Sequence, residues 1–236
     1  MKEILPDVIQ NDTSVLIKSS VDFYSPSKKL AIDISEKNTQ KNRYSNKMKA
    51  LAFHGIDYIM FFPTEPRRKE TMMSYILNRI ESNMFHADYI ISEISESEYR
   101  KFAKENSFKT LGRPSINYGF FVGGNLHYTL SIRRHKSNYE IVNFVRKNGQ
   151  SSDQAFTRLF EYFKKIHTPK IITYLIDRRI ERYDYLLKLG FYIVGFGNPR
   201  WYLVIDDRIK RDTNKYTGDK VWDCGTIKLM WKSQSS

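Results

Sequence analysis

The sequence predicts an α/β chain of the α+β kind, with two successive domains that are each built on a mixed sheet. Three observations predict it. Strand-period and helix-period segments alternate along the chain. Two hairpin signals stand between apolar runs, Ser25-Pro26-Ser27 and Gly123-Gly124-Asn125. The 236 residues are 41% hydrophobic, enough for two cores.

The elements follow from period and punctuation. Val15 to Phe23 and Leu30 to Ile34 read as strands joined at Ser25-Pro26-Ser27, and polar residues 35–43 as a loop. Tyr44 to Phe53 reads as a short helix stopped by Gly55. Ile56 to Phe62 is continuously apolar apart from Asp57, as a buried strand is, and Pro63 ends it. Pro66 suits the first turn of a helix running to Ile80. Asp88 to Ile94 reads as a strand and Ser95 to Glu105 as a helix. Tyr118 to Val122, Leu126 to Arg133 and Tyr139 to Val145 read as three strands. Gln154 to Ile166 is an amphipathic helix, Ile171 to Ile176 a strand, and Glu181 to Leu189 a helix capped by Gly190. Phe191 to Val194, Trp201 to Ile205 and Thr226 to Trp231 complete the strands. A domain boundary is expected near Ser82 to Ala87, dividing the chain into 1–84 and 85–236.

Charge points to a partner. Lys and Arg number 39 against 26 acids, a net +13. Residues 1–104 hold 16 basic and 14 acidic side chains, whereas residues 105–236 hold 23 and 12. Such a concentrated excess favours a polyanion, and DNA is the partner expected, with RNA left open. The candidate phosphate ligands are Arg133, Arg134, Arg178, Arg179, Arg182, Arg200 and the basic stretch Arg208, Lys210, Arg211 and Lys215. Trp201 and Tyr202 read as core residues, with stacking on bases as the alternative.

The single cysteine, Cys224, excludes an internal disulfide and fits a reducing compartment. No apolar run is long enough to span a membrane, and residues 1–10 do not form a signal peptide, so a cytoplasmic protein without membrane partners is expected. No Cys/His cluster suggests structural zinc.

Two resemblances add expectations. The order of elements from Asp88 to Ile205, together with Tyr183-Asp184-Tyr185-Leu186-Leu187-Lys188-Leu189-Gly190-Phe191, resembles the GNAT acetyltransferase scaffold and its LYEKLGF signature. Those enzymes hold a cofactor pyrophosphate on backbone N–H groups at a helix N-terminus. Here Gln150-Ser151-Ser152-Asp153-Gln154-Ala155 occupies the matching stretch, with Asp153 where the first glycine belongs. A carboxylate there would repel a pyrophosphate, so no acetyl-CoA is expected.

The hairpin Val21-Asp22-Phe23-Tyr24-Ser25-Pro26-Ser27-Lys28-Lys29-Leu30-Ala31-Ile32-Asp33-Ile34 resembles the core of a phage homing-endonuclease-like family. That family is related to very-short-patch-repair and PD-(D/E)xK nucleases. The stretches Tyr44 to Phe62, Ile176 to Ile180 and Trp222 to Thr226 fall where further motifs of that family stand. The resemblance implies a small nuclease-like mixed-sheet domain followed by a GNAT-like domain that grips DNA. It implies a Mg²⁺ ion on Asp22 and Asp33, with metal-dependent phosphodiester hydrolysis. The pattern's lysine, two residues after the second acid, is replaced by Ser35, and Lys37, Lys41 or Arg43 would have to serve, Lys37 being the catalytic candidate. His54 reads as a packing or solvated residue. The alternatives are a non-catalytic DNA-binding relative and an acyltransferase with a basic docking face.

Overall fold

The computed structural model describes residues 5–13, 20–80, 88–109, 111–136, 138–148, 153–205, 208–211 and 218–233. In chain order the elements are β1 (Ile9–Asp12), β2 (Val21–Ser25), β3 (Leu30–Ile34), α1 (Arg43–Phe53), β4 (Asp57–Phe61), a 3-10 turn at Glu65–Arg67, α2 (Lys69–Ile80), β5 (Ile90–Glu93) and α3 (Glu96–Asn106). There follow β6 (Ile116–Val122), β7 (Asn125–His135), β8 (Asn138–Arg146), α4 (Asp153–His167), β9 (Ile171–Asp177), α5 (Asp184–Lys188), β10 (Tyr192–Gly197), β11 (Trp201–Ile205), β12 (Arg208–Arg211), β13 (Asp219–Trp222) and β14 (Thr226–Lys232). The chain is thus α/β with mixed sheets.

It divides into two compact units. The first comprises residues 1–80, 177–181 and 196–226, and the second residues 81–176, 182–195 and 227–236. Residues 177–181 and 196–226 therefore pack with the first 80 residues, although a linear division gives them to the second domain. The expected boundary at Ser82 to Ala87 lies outside the described residues.

In the first unit, β1, β2, β3 and β4 form a four-stranded sheet in that order. The first two pairings, β1–β2 and β2–β3, are antiparallel, and α1 carries the chain across to the parallel β3–β4 pair. Ala31, Tyr58 and Met60 on one face pack with Tyr44 and Leu51 of α1. Val221 and Cys224 complete this core, with Tyr202 and Val204 packed against it. The last two lie on the three-stranded sheet β12-β11-β13. Two of that sheet's strands, and β1, fall in stretches where period and punctuation predict no element.

In the second unit the sheet runs β10-β14-β9-β8-β7-β6-β5. Gly123 and Gly124, at φ +54° and +76°, turn β6 into β7, the conformation that a two-residue hairpin requires. Ala155, Phe156, Leu159, Phe160 and Phe163 of α4 are all buried, at helical spacing, against one face of the sheet. On the other face lies α3, started by a capping box: Ser95 Oγ accepts the Glu98 N–H, and the Glu98 carboxylate accepts the Ser95 N–H. The helix expected over Glu181 to Leu189 is shorter. The Asp177 and Arg179 N–H groups donate to the Glu181 and Asp177 carboxylates, and this turn holds residues 177–181 out of helix.

Candidate functional site

Asp22 and Asp33 do come together, but as parts of the backbone ladder. Past Phe23 and Ile32 the β2–β3 register stops. There Asp33 Oδ1 accepts the Asp22 N–H at 3.0 Å, and Asp22 Oδ2 accepts the Ile34 N–H at 2.7 Å. Asp33 Oδ2 also takes the Lys47 ammonium and the Tyr58 hydroxyl. Lys47 donates its second bond to the Ser20 carbonyl at 2.7 Å, and its side chain is 5% exposed. Its positive charge already stands where a cation on Asp33 would sit. Burial, opposed by the Ile34 N–H and assisted by Asp33, raises the Asp22 carboxyl pKa. Burial and Asp33 push the Tyr58 hydroxyl far above its ordinary value. Lys37 is elsewhere, 2.8 Å from Asp219 on β13. Among the described residues no group of three or more His, Cys, Asp or Glu is placed to hold a metal. Sequence reading did not give Lys47 this part. Its signal was the Tyr44/Lys47 spacing, one helical turn on the face toward the sheet.

The predicted phosphate ligands have separate fates. Arg179 is 2% exposed, ion-paired to Glu65 and Asp177, and hydrogen-bonded to the Met60 carbonyl. It is a core residue of the first unit, so its expected role on a phosphate-binding surface does not fit its burial. Arg178 donates to the Cys224 carbonyl. Arg200 is exposed, and its N–H donates to Asp223. Arg208, Lys210 and Arg211 lie on β12, and Lys215 lies outside the described residues. Arg133 pairs with Glu140, and Arg134 is exposed. Arg182 binds Asp184 through two bonds, at 3.0 and 2.6 Å.

The second unit carries an opening in its sheet. Parallel β8 and β9 are paired from Asn138↔Ile171 to Ile141↔Tyr174 and no further. Residues 142–146 of β8 continue past the point where the two strands part, and α4, which links them, begins at this same end. Buried polar groups without hydrogen bonds collect here: the Asn143 amide, Arg146 Nε, Asn148 Oδ1 and Asp153 Oδ1. The Tyr99 hydroxyl is near enough for Asn143 and Ser131 to lower its pKa against the larger rise from burial, yet it completes no bond of good geometry. Native interiors leave few such groups, and a cluster of them calls for a partner. Asp153 lies 3.9 Å from both Arg146 and Arg182, close enough to be neutralised but too far to hydrogen-bond. The start of α4 therefore combines two guanidinium groups and a helix dipole against Asp153 and the Arg182 partner Asp184.

No protein-family model matches the chain, and no curated protein does. Solved structures resemble part of it. A ribosomal-protein-alanine N-acetyltransferase from Escherichia coli is 11% identical, with a TM-score of 0.46, over 63% of this chain and 97% of its own. An aminoglycoside 6'-N-acetyltransferase from Enterococcus faecium is 14% identical, with a TM-score of 0.42, over 62% and 99%. A GNAT family acetyltransferase from Elizabethkingia anophelis with acetyl-CoA bound is 12% identical, with a TM-score of 0.39, over 63% and 100%.

These findings correct three expectations. The similar structures are acetyltransferases and no nuclease is seen among them, against a homing-endonuclease relative and against metal-dependent DNA cleavage. Some of them contain coenzyme A or acetyl-CoA, against the expectation that excluded it. Among the described residues no helix is long and apolar enough to cross a membrane.

Proposed function

We propose that the second unit binds an acyl-CoA and transfers its acyl group to an amine. The observation that carries this reading is the parting of β8 and β9 after Ile141 and Tyr174, with orphaned polar groups along the opened stretch. An extended ligand bearing amide groups can take the place of the missing strand there, completing hydrogen bonds that the fold leaves open. Phosphate groups at the end of such a ligand would meet the first turn of α4, Arg146 and Arg182. When bound, the coenzyme supplies a thioester whose carbonyl an amine can attack.

The chain's own residues would do three things. Backbone groups of 142–146 would orient the arm. Arg146 would exchange its distant partner Asp153 for a phosphate, which satisfies its buried Nε–H. The apolar residues behind the opening, Phe144 and Phe156 among them, would keep water from the reacting end.

Titration calorimetry with acetyl-CoA tests the proposal, beside release of CoA thiol in the presence of simple amines. Saturable binding is expected, weakened roughly tenfold or more by Arg146→Ala, the scale of one charge-assisted hydrogen bond. No heat with acetyl-CoA and no thiol release from any amine would end this reading.

A further inference from the structure

The opposite end of the second unit's sheet carries a row of cations. The ends of five successive strands meet there: β14 at Lys232, β9 just after Lys170, β8 and β7 on either side of Lys136, and β6 near Arg113. The register sets this alignment, with Asn138 opposite Ile171, His135 opposite Asn138, and Ile116 opposite Ile132. The Ser233 N–H donates to the Lys170 carbonyl at 3.0 Å and fixes β14 beside β9. Arg134 is the second-last residue of β7, its N–H donating to Ser115 Oγ. Lys165, near the end of α4, joins the same edge. His167 ties that helix end to β6, its Nε2 lying 2.8 Å from the Tyr118 hydroxyl.

Arg113, Arg134, Lys136, Lys165, Lys170 and Lys232 are all exposed, and none of the six forms an ion pair among the described residues. Of the acids nearby, Glu140 and Glu161 are engaged, and Glu93 of β5 stands beside His167 through its strand partner Tyr118. Glu140 holds Arg133 and His135, and Glu161 holds Lys164. Four inter-strand steps place these cations along roughly 19 Å. At the β14 end of the row a groove of about 620 Å³ opens between Glu161, Lys164, Lys165, Leu189, Trp231 and Lys232. Trp231 is half-buried there, with the Lys164 ammonium 5.1 Å from its ring centre.

We infer that this edge is a docking surface for a single strand of nucleic acid. A line of unpaired cations matches a line of phosphates, and roughly 19 Å covers about six of them at the stacked spacing of ~3.4 Å. A partly buried indole at the end of the line gives a base a stacking face once the Lys164 ammonium over its ring turns to a phosphate, the combination by which single strands are held without sequence preference. An anionic membrane would be met by the charges alone and has no use for the groove. The surface lies at the other end of the strands from the proposed acyl-CoA site, so the two stand or fall separately.

The test is fluorescence anisotropy of labelled single-stranded RNA and DNA oligonucleotides with the full chain, titrated across salt concentrations. The Lys136→Gln, Lys170→Gln, Lys232→Gln variant is compared with a charge-matched control, Lys28→Gln, Lys49→Gln, Lys101→Gln. Thermal unfolding midpoints check that both are folded. The edge variant is expected to lose about 2 from the slope of log affinity against log salt, at ~0.7 per single-strand phosphate contact, while the control keeps its slope. Oligonucleotide should quench tryptophan emission in the parent and much less in Trp231→Phe. Equal losses in both triple variants would show a diffuse field and overturn the inference. So would binding to phosphatidylserine vesicles with none to oligonucleotides, or quenching unchanged by Trp231→Phe.

Discussion

Asp22 and Asp33 each accept a backbone N–H from the other's strand, Asp33 from Asp22 itself and Asp22 from Ile34. Two carboxylates thereby replace ladder bonds at the point where the β2–β3 register ends. Their presence inside strands is explained by this pairing, and no bound cation is needed to account for it.

That pairing predicts a graded response at Asp22. Asn keeps the acceptor for the Ile34 N–H, so Asp22→Asn should stay within about 1 kcal/mol of the parent in urea unfolding. Asp22→Ala orphans that N–H and should cost about 1–3 kcal/mol. Equal costs for the two variants would show that the hydrogen bond is unimportant.

Lys47 should matter more. Its side chain and that of Asp33 are 5% and 3% exposed, so Lys47→Met leaves a buried carboxylate with Tyr58 and one N–H alone. A loss of about 3–5 kcal/mol is expected. Lys47→Met combined with Asp33→Asn should recover part of it, measured as a coupling energy in a double-mutant cycle. A single variant as stable as the parent would contradict the ion pair.

Asp223 gives a pH signature. It accepts the Arg200 and Gly225 N–H groups and the Tyr202 hydroxyl, yet burial outweighs these bonds and raises its pKa. A carboxyl raised on folding binds more protons in the folded state. Its stabilising contribution is full below the unfolded value, about 3.9, and is lost as pH rises through the folded value. Comparing unfolding midpoints of parent and Asp223→Asn from pH 3.5 upward should show the parent losing ground relative to the variant. A difference constant with pH would refute the shift.

Gly225 should tolerate no side chain. Its φ is +78°, and a β-carbon there would stand 2.3 Å from the Gly197 carbonyl oxygen. Gly225→Ala should therefore destabilise by more than the roughly 1 kcal/mol expected of strain at φ alone, read from urea midpoints. An unchanged midpoint would mean that the Gly197 to Pro199 segment moves aside freely.

Local signals were legible and distant pairings were not. The hairpin around Ser25-Pro26-Ser27, the Gly123-Gly124 turn and the apolar stripe of α4 are written in neighbouring residues, and each forms close to where period and punctuation place it. Strands β11 and β13 pair through contacts between distant segments, and nothing near Asp219 announces that its strand returns to the first unit. Arg179 reads as a solvated arginine beside Arg178 because its partner Glu65 is 114 positions away. The charges beside Asp153 were hidden too, although Arg146 is near it in sequence. The residues of its helix start suggest repulsion of a phosphate, and only folding brings Arg146 and Arg182 beside it.

The most direct test of the acyl-CoA reading is amide hydrogen exchange with and without saturating acetyl-CoA. Slowed exchange is expected, concentrated in residues 142–146 of β8 and the first turn of α4, where the sheet opens and the helix N–H groups begin. Exchange unchanged in both segments, with or without protection elsewhere, would contradict it.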